Sequence, residues 1–373
     1  MLVDGETIVE TGSGDPNGPG TSGGPGAHPA ADAVLDLGGA WLTPGFIDLH
    51  CHGGGGFGFD DGARAIGGAL AAHRAHGTTR SVISLVANPL ASLEASLSVI
   101  ADLAAADPLL LGSHLEGPYL SPLRPGAHNP AFLREPQPAE LDRLLDAARG
   151  TLRQLTIAPE LPNAFELINV LVENRVVVAV GHTEADLALA RRAFDSGARL
   201  LTHAFNAMPG IGHREPGPVV AAFEDPRVTL ELILDGEHVH PDVAALAFRS
   251  APGRVALVTD AMAAAGAPDG DYALGSVPVE VRAGRARIAG TDSLAGSTLT
   301  QDRALRLAIE RAGLAPADAV AAVTLTPARG SRPRPPPRPA RPRLRRGRRA
   351  ARLRLGRRAR LGERIGAALR APG

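Results

Sequence analysis

A chain of 373 residues with 44% hydrophobic side chains is long enough for one large domain and a smaller one, with apolar bulk for a sizeable core. No run reaches the roughly 18 apolar residues of a membrane span, no basic stretch followed by an apolar one opens the chain as a secretory signal would, and the single Cys51 excludes an internal disulfide; a cytoplasmic protein is the expectation. The formal charge of zero conceals an asymmetry: all 39 basic residues are arginine, and 17 of them lie from Arg329 onward against one acid, Glu363, so an acidic body carries a basic tail. With no lysine, the chain can form neither a Schiff base nor a P-loop, and no carboxylated lysine can bridge two metals.

Taken in chain order, residues 1–43 read as strand and turn pieces of a small β domain. Within it, 11–31 is rich in Gly, Pro and Ser and predicts a flexible loop, and 34–42 reads as a hairpin. From Pro44 the pattern becomes strand then helix, repeated. Strands are expected at 46–52, 80–86, 109–116, 152–159, 176–182, 199–203, 228–234 and 255–260, with helical stretches between most of them, among them 63–76, 138–148, 185–196 and 241–250. Eight such units imply an α/β fold, a (β/α)8 TIM-like barrel with helices outside, over 44–328. An inserted hairpin interrupts the rhythm at about 270–290, and 297–312 and 316–323 are helical again. Residues 329–373 are Arg- and Pro-rich and do not read as a folded domain. The tail lacks interleaved aromatics, so nucleic-acid binding is disfavoured.

Several of the apolar runs finish on a residue able to hold a metal: Gly45-Phe-Ile-Asp-Leu-His-Cys-His52, His114-Leu-Glu116, Val180-Gly-His182, Leu201-Thr-His203 and Val258-Thr-Asp260. Barrel enzymes carry their chemistry at the C-terminal ends of the strands. His50 and His52 are two apart on a strand, so both rings face one way, while Cys51 between them faces the other and reads as packing. Gly53–Gly56 fits close backbone packing around a metal better than a phosphate loop, because the rest of a phosphate-binding pattern is missing. Glu116, His182 and His203 make a reasonable set for a divalent ion, zinc before iron, cobalt or manganese, with one or two ions and a position open to water. Asp260 is read as the general base toward that activated water rather than as a helix cap.

On these residues, and on Arg214-Glu-Pro-Gly217, Asp235-Gly-Glu-His238 and Leu294-Ala-Gly-Ser-Thr-Leu-Thr300, the chain resembles the amidohydrolase superfamily. Within it, Glu116-Gly-Pro and Phe205-Asn-Ala-Met208 make it similar to the N-acetylglucosamine-6-phosphate deacetylase family over about residues 34–329. The resemblance implies hydrolysis of N-acetyl-D-glucosamine 6-phosphate to glucosamine 6-phosphate and acetate. It implies Glu116, His182 and His203 as the main metal ligands, His50 and His52 as a pair that in some members helps hold a second ion, and Asp260 as the acid/base. It further implies Ala127 and His128 as a sugar-binding pair, Asn206 and Ala207 as a segment meeting the substrate, Arg214 and His238 on the phosphate, and Leu294, Ala295 and Gly296 in a loop closing over the sugar. A homodimer is implied as well. Arginine suits phosphate through paired, charge-assisted hydrogen bonds; the competing reading of Arg214 is a surface ion pair with Glu215.

Two departures stand out. The family flanks its barrel with a β-sandwich built from both chain ends, and here the N-terminal part is short while an Arg/Pro run replaces the C-terminal strands, so the sandwich is expected to be incomplete. A change of reading frame near Arg329 is one hypothesis for the run, which resequencing the gene would test. The rival functions are an amidohydrolase acting on cyclic amides, many of which need the carboxylated lysine this chain lacks, and an inactive product with a disrupted C-terminus.

Overall fold

The computed structural model describes residues 2–4, 7–10 and 35–332. The Gly/Pro/Ser-rich loop at 11–31 and the tail beyond 332 lie outside them. Contacts divide the chain between Leu42 and Thr43. Before that point, Leu2–Asp4 and Thr7–Glu10 pair as an antiparallel ribbon with a register shift. The hairpin expected at 34–42 does not form among the described residues: Asp36 Oδ1 accepts the Gly38 N–H at 2.8 Å, Gly38 and Gly39 take positive φ, and residues 35–42 hold no strand. A side chain that bonds its own backbone two residues on builds a turn in place of a ladder.

The part beginning at Thr43 is an eight-stranded parallel sheet. Its strands are β1 Phe46–Asp48, β2 Thr78–Leu85, β3 Leu110–Glu116, β4 Leu152–Ile157, β5 Val177–Val180, β6 Leu200–Leu201, β7 Thr229–Ile233 and β8 Val255–Val258, hydrogen-bonded in sequence order. All eight expected strands are present, most of them shorter than the sequence implies. The polar residues that end the apolar runs mostly lie past the ladder, because the backbone turns there: His182, His203 and Asp260 have φ of 46°, 25° and 48°, a left-handed region that side chains other than glycine seldom enter. The first and last strands approach just beyond their ends. Cys51 bridges Ala261, His50 O accepts the Asp260 N–H at 2.8 Å, and Ala261 O accepts the His52 N–H at 2.7 Å. Below them the Thr259 hydroxyl donates to the buried Asp48 carboxylate at 2.6 Å. That seam draws β1 and β8 together and sets His50, His52 and Asp260 side by side.

Helices cover the outside, each for a local reason. Pro138–Ala148 starts on a proline and buries Leu141, Leu144 and Ala148, the stripe expected of one face. Leu187–Asp195 is capped by Asp186, whose carboxylate accepts the Leu189 N–H at 2.7 Å. The hairpin expected near 270–290 is a three-stranded antiparallel meander, Gly270–Leu274, Val277–Arg282 and Arg285–Ile288. Two turns, at Gly275 and Gly284 with φ of 54° and 74°, supply the extra reversal. Val279 and Val281 face inward onto Met262, Ala264 and Ala295, while Glu280 and Arg282 face out. The meander is thus seated directly over the end of β8.

Candidate active site

The structure brings together the six residues read as metal-binding or catalytic, all buried. Glu116, the last residue of β3, stands at the centre. Its Oε1 lies 3.1 Å from His182 Nε2 and 2.9 Å from His203 Nε2, and its Oε2 lies 3.1 Å from His52 Nε2 and 3.3 Å from His50 Nε2. Asp260 Oδ1 approaches His52 and His50 at 3.3 and 3.5 Å. Two groups result, Glu116–His182–His203 and His50–His52–Glu116–Asp260, with Glu116 common to both.

The donor chemistry fits a cation. The Nε2 atoms of His50 and His52 are 3.1 Å apart, and those of His182 and His203 are 3.0 Å apart. Neutral imidazoles offer one hydrogen each, so two ring nitrogens and a carboxylate turned on one point are short of protons. Ligands about 2.0–2.1 Å from a tetrahedral zinc stand about 3.3 Å from one another, close to the spacing found here. Without a cation the acids bear on the imidazoles. Burial alone would lower the pKa of His52, but hydrogen bonds to Asp260 and Glu116 outweigh it and raise the value to about 9. Burial would raise Asp260, yet His50 and His52 pull it down to about 2, so it is ionised at neutral pH.

His128 is fixed differently. Its Nδ1 accepts the Ala87 N–H at 3.1 Å, which leaves the ring hydrogen on Nε2, 3.4 Å from Glu116 Oε2. Burial lowers its pKa to about 4, so it faces the cluster as a neutral donor. Ala127 is half-buried beside the meander. Asn206 donates its amide to the carbonyl of His203 at 3.2 Å, and Ala207 has φ 50° and accepts the Thr183 N–H through its carbonyl at 3.1 Å. Leu294 bridges Arg287 of the meander, and the Ala295 N–H donates to Ala286 O at 3.1 Å. Gly296 sits where a Cβ would come 2.9 Å from Asp260 O, so this loop is stitched to the end of β8. His238 Nδ1 is 2.7 Å from Asp235 Oδ2; burial opposes its charge, but Asp235 more than offsets this and raises its pKa. Arg214 is exposed and makes no ion pair with Glu215 among the described residues, and His213 is exposed as well. No contact ties Arg214 to the cluster.

One local expectation is corrected. Gly53, Gly54 and Gly55 are close-packed, but not around the cluster, and Gly56 is open: a Cβ on Gly53 would meet Phe57 O at 2.4 Å and Ala263 N at 3.0 Å, and one on Gly54 would meet His73 Nε2 at 2.7 Å. Cys51 points to the same side, its Sγ 3.1 Å from His73 Nε2.

Two buried interior residues, Glu231 and His114, were given no role by the sequence reading. Glu231 on β7 faces His50 Nδ1 at 3.2 Å and accepts from Gln154 Nε2 at 2.8 Å. His114 is held between Ser84 Oγ at 2.9 Å and Thr156 Oγ1 at 2.8 Å. It lies two residues before Glu116, so strand alternation that turns one inward turns the other; that signal was available. A charged residue inside the run Thr-Leu-Glu-Leu-Ile was the available signal for Glu231.

A parallel barrel with a His/Glu/Asp cluster at its mouth defines a metal-dependent hydrolase scaffold, and the chain belongs to the amidohydrolase family, which it matches over residues 41–330. Its relatives are more particular. It is 42% identical to the N-acetylgalactosamine-6-phosphate deacetylase of Escherichia coli O157:H7, over 81% of each chain. It is 37% identical to the human N-acetylglucosamine-6-phosphate deacetylase, over 80% of this chain and 76% of that one. Among solved structures, a Mycobacterium smegmatis N-acetyl-D-glucosamine-6-phosphate deacetylase mutant in complex with N-acetyl-D-glucosamine-6-phosphate superposes with a TM-score of 0.79 at 48% identity, covering 82% of each chain.

Proposed function

We propose that this chain hydrolyses the acetamide of N-acetyl-D-glucosamine 6-phosphate to glucosamine 6-phosphate and acetate. The observation that carries the reading is the convergence of four imidazoles and two carboxylates on the barrel mouth, in a chain 48% identical to a deacetylase whose structure holds that sugar phosphate. Glu116, His182 and His203 would hold one divalent cation, and His50, His52, Glu116 and Asp260 a second; zinc is the first choice for so many imidazoles. When bound, the cation supplies Lewis acidity, which acidifies water and polarises a carbonyl.

The side chains do the rest. Asp260, ionised and beside the histidines, takes the proton of the attacking water and returns it to the nitrogen as the C–N bond breaks, so the amine departs uncharged. His128 presents its Nε2–H toward the cluster, where it donates to a substrate oxygen. Ala127, Asn206 and Ala207 line the approach, and Leu294, Ala295 and Gly296 close over the sugar. His238, made more basic by Asp235, and Arg214, exposed and without an ion pair among the described residues, are assigned to the phosphate. We assign residues 1–43 to a small, incomplete β-sandwich and 44–328 to the hydrolase barrel; the last helix of the barrel, Leu325–Gly330, runs past that bound, so the start expected for the tail at Arg329 is too early. A homodimer in the cytoplasm completes the proposal, on family resemblance. No helix among the described residues is long and apolar enough to cross a membrane.

The name of the E. coli relative favours a second substrate, the 4-epimer N-acetylgalactosamine 6-phosphate. Acetate release by the zinc-loaded protein, measured on both epimers and on a dihydropyrimidine, tests the reading. Turnover of the glucosamine compound and none of the cyclic amide is expected. Turnover of the cyclic amide alone, or of neither sugar, would overturn it.

A further inference from the structure

The four histidines of the cluster are not anchored alike. His182 Nδ1 is 2.8 Å from the Arg124 carbonyl oxygen, while His52 Nδ1 and His203 Nδ1 are buried with no partner among the described residues. His50 alone meets a charged group on its far side: Nδ1 is 3.2 Å from Glu231 Oε2, with both side chains fully buried. A carboxylate only accepts, so Nδ1 carries the hydrogen and the Nε2 lone pair is turned into the cluster. Glu231 is itself pinned, because its other oxygen accepts from Gln154 Nε2 at 2.8 Å. The chain of contacts runs from Gln154 on β4 through Glu231 on β7 to His50, two residues past β1, across the barrel interior. The imidazole of His114 is edge-on to His50 with centroids 4.7 Å apart, and both its nitrogens are engaged by Ser84 and Thr156.

We propose that Glu231 is a positioning residue that, braced by Gln154, locks His50 in the Nδ1–H tautomer and so decides whether the His50–His52–Glu116–Asp260 group takes an ion of its own. The inference rests on the cation centre proposed above. It separates the two groups: the Glu116–His182–His203 site does not depend on Glu231, and the His50 site does. Partners behind a metal-bound histidine typically change metal affinity by about 10–100-fold when removed, and a buried acceptor lost from an interior has no water to replace it.

The test is metal stoichiometry and affinity, read by elemental analysis and competition with a zinc chelator, on full-length wild type, Glu231→Leu and Glu231→Gln. Wild type is expected to hold two zinc ions. Glu231→Leu should lose one of them, its affinity falling about 10–100-fold while the other is unchanged. Glu231→Gln should recover most of the loss, because its carbonyl oxygen still accepts from His50 once Gln154 turns its amide over. Nitrogen-15 shifts of His50 in the zinc-loaded proteins should report the Nδ1–H form in wild type and in the Gln variant. A wild type that takes only one ion, a Leu variant that keeps both at unchanged affinity, or a Gln variant as deficient as Leu overturns the inference. A wild type that takes no ion overturns the cation reading beneath it.

Discussion

The two ends of the barrel handle charge in opposite ways. At the N-terminal end, Arg199, Arg227, Arg254, Arg329 and Arg332 line one cavity of about 140 Å³. Arg254 spends its guanidinium on four carbonyls, with Nη1 donating to Ala222, Asp225 and Val228 at 2.8–3.0 Å and Nη2 to Phe223 at 2.6 Å. These carbonyls lie in and just after the helix Gly217–Glu224, whose last turn leaves acceptors without intrahelical donors. Arg227 pairs with Asp195 and Asp225, each at 2.6 Å. At the C-terminal end the balance is reversed: ring nitrogens and carboxylate oxygens crowd within 2.9–3.5 Å of each other with too few hydrogens among them. Donors matched to acceptors hold a helix in place. Acceptors aimed at one another need extra protons or a metal cation between them, and so mark chemistry.

That contrast can be broken by substitution, and the largest effect belongs at the mouth. Asp260→Asn should lower kcat by about 10²–10⁴-fold, the usual weight of general acid–base catalysis, while elemental analysis still finds the ion at Glu116–His182–His203; undiminished turnover would remove Asp260 from the proton path. Arg214→Ala should raise KM for the phosphorylated sugar at least tenfold and leave KM for the unphosphorylated one nearly unchanged, and equal effects on the two would take Arg214 off the phosphate.

Zinc binding should depend on pH in a defined direction. With a metal-free pKa of about 9, His52 is protonated at neutral pH and must release that proton to ligate. The carboxylates Glu116 and Asp260 raise His50 as well, so affinity for an ion ligated by His52 and His50 should rise by at least about tenfold per pH unit from neutral pH toward pH 9. Calorimetry in buffers of different ionisation heat counts the protons released, and a flat profile would contradict the assignment.

At the foot the effect should be smaller and of another kind. Arg254→Ala orphans four carbonyls, some of which water will reach, and should cost about 2 kcal/mol, lowering Tm by a few degrees. It should leave kcat/KM within about twofold. A foot variant that lost activity without losing stability would erase the distinction between the two ends.

How much of this was legible in the sequence follows from range. The eight strands announced themselves as short apolar runs, since a strand covered on both faces is hydrophobic throughout. Their ends did not, because departure from the ladder is set by backbone geometry: β6 keeps only Leu200 and Leu201 before His203 turns left-handed. The residues at the mouth were legible because each interrupts the end of a run. Glu231 was not, for it interrupts the middle of one and its partner His50 lies 181 residues away. Local turn chemistry accounts for the hairpin expected at 34–42, where Asp36 caps its own loop, and for the additional strand in the meander, which two glycine turns permit.

Crystals of the zinc-loaded protein, with diffraction recorded on both sides of the zinc absorption edge, test the central claim most directly. The account predicts an anomalous peak about 2.0–2.2 Å from Glu116 Oε1, His182 Nε2 and His203 Nε2 together. An empty mouth in crystals whose protein binds zinc elsewhere would contradict it.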